Sequence, residues 1–186
     1  MTWTDSIYDA GDLSKGFQDF SKPNSFCGRV LRQILLLIHL GEIQLILWMK
    51  GPYDLAKYLT NWLLVLNTIW IFTTVICNHL GRKAPKTLLA IHHMLFEVIV
   101  PGHMLVVSVY WSMLHKTELA KRDSPTWPHQ GFERDLDIMN LYMAHIMPAV
   151  SALINFYLTD VCIKPTHGKV LTPLAIGYAI MNYYEV

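Results

Sequence analysis

The sequence predicts an all-α fold, a polytopic transmembrane helix bundle of about five spans, and three observations carry that prediction. Hydrophobic residues make up 53% of the 186 and charged residues only 16%, with a mean hydropathy of +0.30; an ordinary soluble domain has about 25% charged residues. The apolar residues are gathered into runs long enough to cross a bilayer, which takes about 20 residues. The polar residues inside those runs are few. In hydrocarbon an unpaired polar group costs several kcal/mol, so such groups turn toward the bundle interior or a wet cavity.

The chain divides into a polar N-terminal arm, residues 1–28, and the helical bundle, residues 29–186. The arm carries Asp5, Asp9, Asp12 and Asp19, with neither the early apolar core of a secretory signal nor the Arg-rich, acid-poor character of a mitochondrial presequence. Gly11, Gly16 and Pro23 argue against a long helix there, and Trp3, Tyr8, Phe17, Phe20 and Phe26 suit a membrane surface or a partner.

The first span is expected from about Val30 to Met49. Arg29 and Arg32 stand near its start, where long side chains reach headgroups, and Gly51-Pro52 breaks it. His39 and Glu42, three apart, share one face. The second span runs from about Leu55 to Cys77, with Thr60 and Asn61 just inside it. The third covers about Ile91 to Leu114 and holds His92, His93, Glu97, Pro101 and His103, with a kink expected at the proline. The longest loop is then expected over residues 115–135, where Pro125 and Pro128 exclude a continuous helix. The fourth span, Leu136 to Tyr157, contains Asn140, His145, Pro148 and Asn155; the fifth begins near Val170 and reaches Val186. Basic residues are shared almost evenly between the two sides, with a slight lean toward an N-terminus inside.

A net charge of +1 leaves no footprint for nucleic acid. Cys27, Cys77 and Cys162 lie far apart with no CxxC spacing, so they read as buried structural thiols rather than as a zinc site or disulfide framework. Several constellations remain. Thr60 and His145 could form a nucleophile and base, since a threonine hydroxyl is weak until histidine takes its proton. Both sit on even-numbered spans entering from the same side, roughly 8 and 12 Å deep at about 1.5 Å per residue. Asn61 or Asn140 would be at hand to steady an oxyanion. His93 and Glu97, four apart, and the His39–Glu42 pair could serve a metal, but the Glu-x-x-His order of a di-iron bundle is absent. His103 and His145 are the types that ligate haem. The plainer reading is interhelical hydrogen bonding, His92 at the interface, and one of the acids Glu42 and Glu97 paired with Arg32 or a histidine, or lining the bundle interior. No metal or cofactor is expected.

Tyr58-Leu59-Thr60, Val107-Ser108-Val109-Tyr110-Trp111, Asn140 and His145 with Pro148 beyond, and Pro165 to Gly168 followed by Gly177-Tyr178 together resemble the androgen-induced-gene family of multi-pass membrane proteins. Some members are threonine hydrolases that cleave fatty-acid esters of hydroxy fatty acids. The resemblance spans about residues 50–182 and implies Thr60 as nucleophile and His145 as the essential histidine. Three features depart from the family: the asparagine-to-histidine segment is one residue longer here, the polar arm is foreign to the family, and the family has a sixth span.

Two functions follow as expectations. The first is a non-catalytic accessory subunit, hydrolase-like in scaffold and touching lipid, of a larger membrane assembly such as one in the mitochondrial inner membrane. Its motive is that a bundle short of one wall leaves polar groups against lipid. The alternative is the threonine-dependent hydrolase of lipid esters, in that membrane or the endoplasmic reticulum. Membrane lipids, and other membrane subunits in the first case, are the expected partners.

Overall fold

The computed structural model describes residues 26–80, 84–158 and 176. Its long helices are α1 (Phe26–Lys57), α2 (Leu59–Leu80), α3 (Lys86–Val109) and α5 (Phe132–Tyr157), with a short α4 (His115–Arg122) continuing α3 through a π-helical turn, Tyr110–Leu114. No strand occurs among the described residues. Four stretches are long and apolar enough to cross a membrane: Cys27–Tyr53, Leu59–Leu80, Lys86–Arg122 and Phe132–Tyr157. This is a multi-pass helical membrane protein. The expected fifth span, the thiol of Cys162 and nearly all of the N-terminal arm lie outside the described residues.

Local chemistry explains the breaks. Gly51 stands at φ 79°, ψ 175° inside α1, a left-handed conformation that glycine adopts without a Cβ penalty. Pro52 follows with its ring preset for the resumed helix, so the expected break is a sharp bend after which α1 continues to Lys57. The Tyr58 carbonyl then accepts from the amides of Asn61 and Trp62, starting α2. Glu133 and Asp135 occupy the first turn of α5 and Lys121 and Arg122 the last turn of α4, each the sign that the helix dipole favours.

Two boundaries correct the sequence reading. The stretch from His115 to Arg122, expected in a loop, is helical, and the fourth span begins at Phe132 rather than Leu136. The loop shrinks to residues 123–131, where Pro125 and Pro128 do interrupt the helix. Hydropathy marks only where a helix leaves the hydrocarbon; Lys86–Arg122 has 37 residues, roughly 55 Å at 1.5 Å per residue, longer than the ~45 Å of a bilayer with its headgroups. The α-helix also continues through Pro101. Helix α1 starts at Phe26, three residues inside the expected arm.

Helix α2 lies at the centre, packed against α1, α3 and α5, and α5 in turn touches α1 and α3. Trp70, Leu95, Phe96, Ile99 and Ala152 form the apolar core at one level, and Leu63, Val98 and Val106 form it at another. At Gly102 an added Cβ would come within 2.8 Å of Leu63 Cδ2, so α2 and α3 approach closely there. On the outside Leu37, Trp48, Leu105 and Phe72 are exposed, as side chains that meet lipid are.

Candidate functional site: a cavity at the Gly51 end of the bundle

Most intramembrane polar residues are tied to one another. Arg32 is fully buried; its Nε donates to Asn155 Oδ1 at 2.9 Å and its Nη2 to the Leu158 carbonyl at 2.7 Å. Asn155 Nδ2 reaches Thr74 Oγ1 at 3.3 Å, and Thr74 Oγ1 lies 2.9 Å from His92 Nε2, which also accepts from the Trp70 indole at 3.0 Å. One level further in, Asn67 donates to the Pro148 carbonyl at 2.9 Å and to Ser151 Oγ at 2.8 Å. Ser151 Oγ stands 2.6 Å from His39 Nε2. These bonds join α1, α2, α3 and α5.

The remaining histidines and acids are placed as follows. His93 pairs with Glu97 at 3.1 Å, as one of the two acids was expected to pair with a histidine, whereas His39 Nδ1 lies 3.9 Å from Glu42, whose carboxylate oxygens make no hydrogen bond among the described residues. Arg32, the other candidate partner, bonds to Asn155 and the Leu158 carbonyl instead. His92, expected at the interface, is fully buried, because its contacts with Trp70 and Thr74 draw it inward. Cys77 is buried as expected, but Cys27 is exposed at the start of α1, where no helix among the described residues covers it. Among the described residues no three metal-ligating side chains converge. His103 does not join His145 at the cavity described next.

At the other end, near Gly51, α1, α2, α3 and α5 enclose a cavity of about 440 Å³, within the range of small-molecule sites. Its polar lining includes Thr60 and Asn61 from the first turn of α2 and Asn140 and His145 from α5; Ile46, Leu59, Val106, Leu141 and Ala144 are among its apolar walls. Two other lining residues, Leu105 and Leu114, are 58% and 48% exposed on the outside of the bundle. The wall of the cavity therefore includes residues that reach the outside of the bundle.

Thr60 and His145, paired in the sequence on residue type and depth, thus share one cavity. His145 enters from the fourth turn of α5, deeper along its helix than the sequence suggested, since that helix starts four residues earlier. Its ring is held in two ways. Nδ1 lies 2.8 Å from the Leu141 carbonyl; a carbonyl only accepts, so Nδ1 carries the proton and Nε2 keeps a lone pair. Tyr110 stacks on its face, with centroids 3.5 Å apart and planes 19° apart. The Tyr110 hydroxyl lies 3.2 Å from His115 Nδ1. Tyr110 opens the π-helical turn, and such turns often occur at functional sites.

Asn140 is 3% exposed and its Oδ1 has no hydrogen-bond partner among the described residues. A buried amide with spare bonding capacity at a cavity wall can accept from a hydroxyl or, turned end for end, donate to an oxygen.

Above these residues lies an ion-pair network that the sequence reading missed. Asp137, fully buried, meets Lys50 Nζ at 3.1 Å and Arg122 Nε at 2.9 Å. Arg122 Nη1 also meets Glu118 at 2.9 Å, and Glu118 meets Lys121 at 2.6 Å. Reading residues 115–135 as a loop hid this: only a helix puts Glu118 and Arg122 on one face.

Compared with family models, curated proteins and solved structures, the chain matches none.

Proposed function

We propose that this protein is a membrane-embedded hydrolase of lipid esters, with Thr60 as nucleophile and His145 as general base. The observation that carries the reading is the shared cavity: a threonine hydroxyl, a histidine whose Nε2 keeps a lone pair and a buried amide line one largely apolar chamber. An acyl ester enters from the bilayer. His145 Nε2 takes the Thr60 proton as Oγ1 attacks the ester carbonyl. The oxyanion is met by an Asn140 or Asn61 amide N–H. The tetrahedral intermediate collapses, His145 returns the proton to the leaving alcohol, and Thr60 is left acylated. Water, deprotonated by the same nitrogen, then cleaves the acyl-enzyme and releases the fatty acid. The resemblance to the androgen-induced-gene family assigns the same two residues, and fatty-acid esters of hydroxy fatty acids are the substrate class it brings. The test is turnover of such an ester by the purified protein in nanodiscs. Release of fatty acid that Thr60→Ala abolishes supports the reading; no release by folded protein overturns it.

A second reading is favoured by a different observation. Only 28% of the Cys27–Tyr53 span is buried within the bundle, and Leu37 and Trp48 stand well exposed on it. A companion helix would cover that flank, so the chain would be a structural subunit of a larger assembly in the mitochondrial inner membrane or the endoplasmic reticulum. The original motive for it is weaker: among the described residues the intramembrane polar groups Arg32, His39, Asn67 and Asn155 are inside the bundle, not against lipid. Native mass spectrometry of gently solubilised membranes separates the readings; a chain that travels alone counts against the subunit.

A further inference from the structure

We propose that Glu42, with His39 and His103, forms a proton-binding site in the membrane interior, beneath the cavity, whose carboxyl holds one proton and exchanges it with water. All three side chains belong to residues that are at most 5% exposed. Four of their polar atoms, both carboxylate oxygens of Glu42, His39 Nδ1 and His103 Nε2, have no hydrogen-bond partner among the described residues. Glu42 stands eleven residues from one end of the Cys27–Tyr53 span and fifteen from the other, roughly 16 and 22 Å at 1.5 Å per residue. A carboxylate at that depth is costly unless a cation or hydrogen-bond donors meet it, or a proton neutralises it. No lysine or arginine meets Glu42 among the described residues: Arg32 bonds to Asn155 and the Leu158 carbonyl, and Lys50 to Asp137.

The hydrogen bonds around His39 say which partner is needed. Ser151 Oγ donates to the Pro148 carbonyl at 2.9 Å and accepts from Asn67 Nδ2 at 2.8 Å. Its one proton is used on that carbonyl, so at 2.6 Å it accepts from His39 Nε2. Nε2 therefore carries the proton of the neutral imidazole, and Nδ1 carries a lone pair. That lone pair lies 3.9 Å from Glu42 Oε2. With Glu42 ionised, two acceptors would face each other with no proton between them. A proton on Glu42 makes one of them a donor, and a small turn of the carboxyl closes the bond. Passed to Nδ1, the same proton leaves a carboxylate beside an imidazolium, so the pair keeps its net charge of zero either way. A metal ion fits less well. Hard cations such as calcium take about six to eight oxygen ligands, whereas one carboxylate stands here with imidazoles, and among the described residues no three metal-ligating side chains converge.

Each neighbouring helix brings its own groups. From α3 comes His103, within electrostatic reach of His39; His92 and the His93–Glu97 pair lie further along that helix with partners of their own. From α2 comes Asn67, which does not titrate, while Cys77 and His79 lie near that helix's far end. From α5 comes Ser151, with His145 beyond it on the cavity wall. Ile46, four residues after Glu42, and Val106, three after His103, both line the cavity, so the site is about one helical turn beneath it. Intramembrane acids and histidines set together in this way mark proton relays. The inference goes beyond the hydrolase reading, since no step at Thr60 passes through Glu42.

The test uses the full chain in nanodiscs of neutral phosphatidylcholine. Infrared spectra at neutral pH should show a protonated-carboxyl band that shifts in D2O and that Glu42→Gln removes. Dicyclohexylcarbodiimide, an apolar reagent for protonated carboxyls, should locate the same group without any variant having to fold. The acid's O–H adds across a C=N bond of the reagent, the acyl group migrates to nitrogen, and mass spectrometry finds the acylurea on Glu42. Its yield should fall about tenfold per pH unit above the titration of the site, as for one bound proton, and sodium at constant pH should not change it. His39→Leu, which removes the acceptor, should move the pH of half-loss. No band in the wild type overturns the proposal, as does one that survives in folded Glu42→Gln or does not shift in D2O. Protection of Glu42 by sodium at constant pH overturns it in favour of a metal cation, and a half-loss unmoved by His39→Leu overturns the part given to the imidazole.

Discussion

The two ends of this bundle use similar residue types in opposite ways. Toward the start of α1, Arg32, Asn155, Thr74, His92, Asn67, Ser151 and His39 are bonded to one another across four helices. Toward Gly51, Thr60, Asn61, Asn140 and His145 face a void of about 440 Å³. Burial alone does not separate them, since Asn155 and Asn140 are both almost fully covered. What separates them is what they face: the first set bonds from helix to helix, the second lines a chamber. A bonded network rigidifies and fixes helix register; polar groups on the wall of an apolar chamber are placed to orient a ligand.

The largest expected effect breaks the contrast at the cavity end. His145→Ala should lower lipid-ester turnover by about 10²–10⁴-fold, the usual contribution of a general base, with little change in thermal stability. If turnover and stability fell together, the cavity end would be as structural as the other.

The next effect concerns the mouth. Arg122→Met leaves the buried Asp137 carboxylate with Lys50 alone, and removing one member of a buried ion pair costs about 3–5 kcal/mol. Thermal unfolding in detergent should show a clear drop. A double variant, Arg122→Met with Asp137→Asn, should recover much of it; no recovery would mean that Arg122 acts through its packing over Trp127 rather than through charge.

At the networked end the effect is smaller and purely structural. Asn67→Ala removes the donor to Ser151 and Pro148, and unsatisfied buried groups cost about 1–3 kcal/mol. Stability should fall while lipid-ester turnover persists. Loss of turnover at unchanged stability would show the two ends to be coupled.

Smallest is Gly102→Ala. Its Cβ meets the end of a leucine side chain, Leu63 Cδ2 at 2.8 Å, which can shift at a cost of about 1–3 kcal/mol, as overpacking does. A Gly102→Val variant with no stability change would deny the close α2–α3 approach.

Much of the fold was legible in the sequence because hydrocarbon imposes a length: four spans stand near where apolar runs put them, and Gly51-Pro52 marked the bend. The ends of the spans were not legible. His115–Arg122 is polar, and hydropathy cannot tell a helix that has left the membrane from a loop. That Thr60 and His145 line one cavity was legible from residue type and from the even placing of their spans. The ion pairs of Glu118 and Arg122 were not, because they depend on the helical turns beyond the third apolar run, and the meeting of Lys50 with Asp137 depends on how α1 packs on α5. Nor was the stack of Tyr110 on His145, which accompanies a π-helical turn that no residue pattern announced.

The account rests on Thr60 being an activated nucleophile rather than an ordinary helix-start threonine. The most direct measurement treats membranes containing the protein with a fluorophosphonate and maps the adduct by mass spectrometry. The account predicts an adduct on Thr60 that His145→Ala removes and Ser151→Ala does not. Folded protein that carries no adduct at Thr60, or an adduct there that survives His145→Ala, would contradict it.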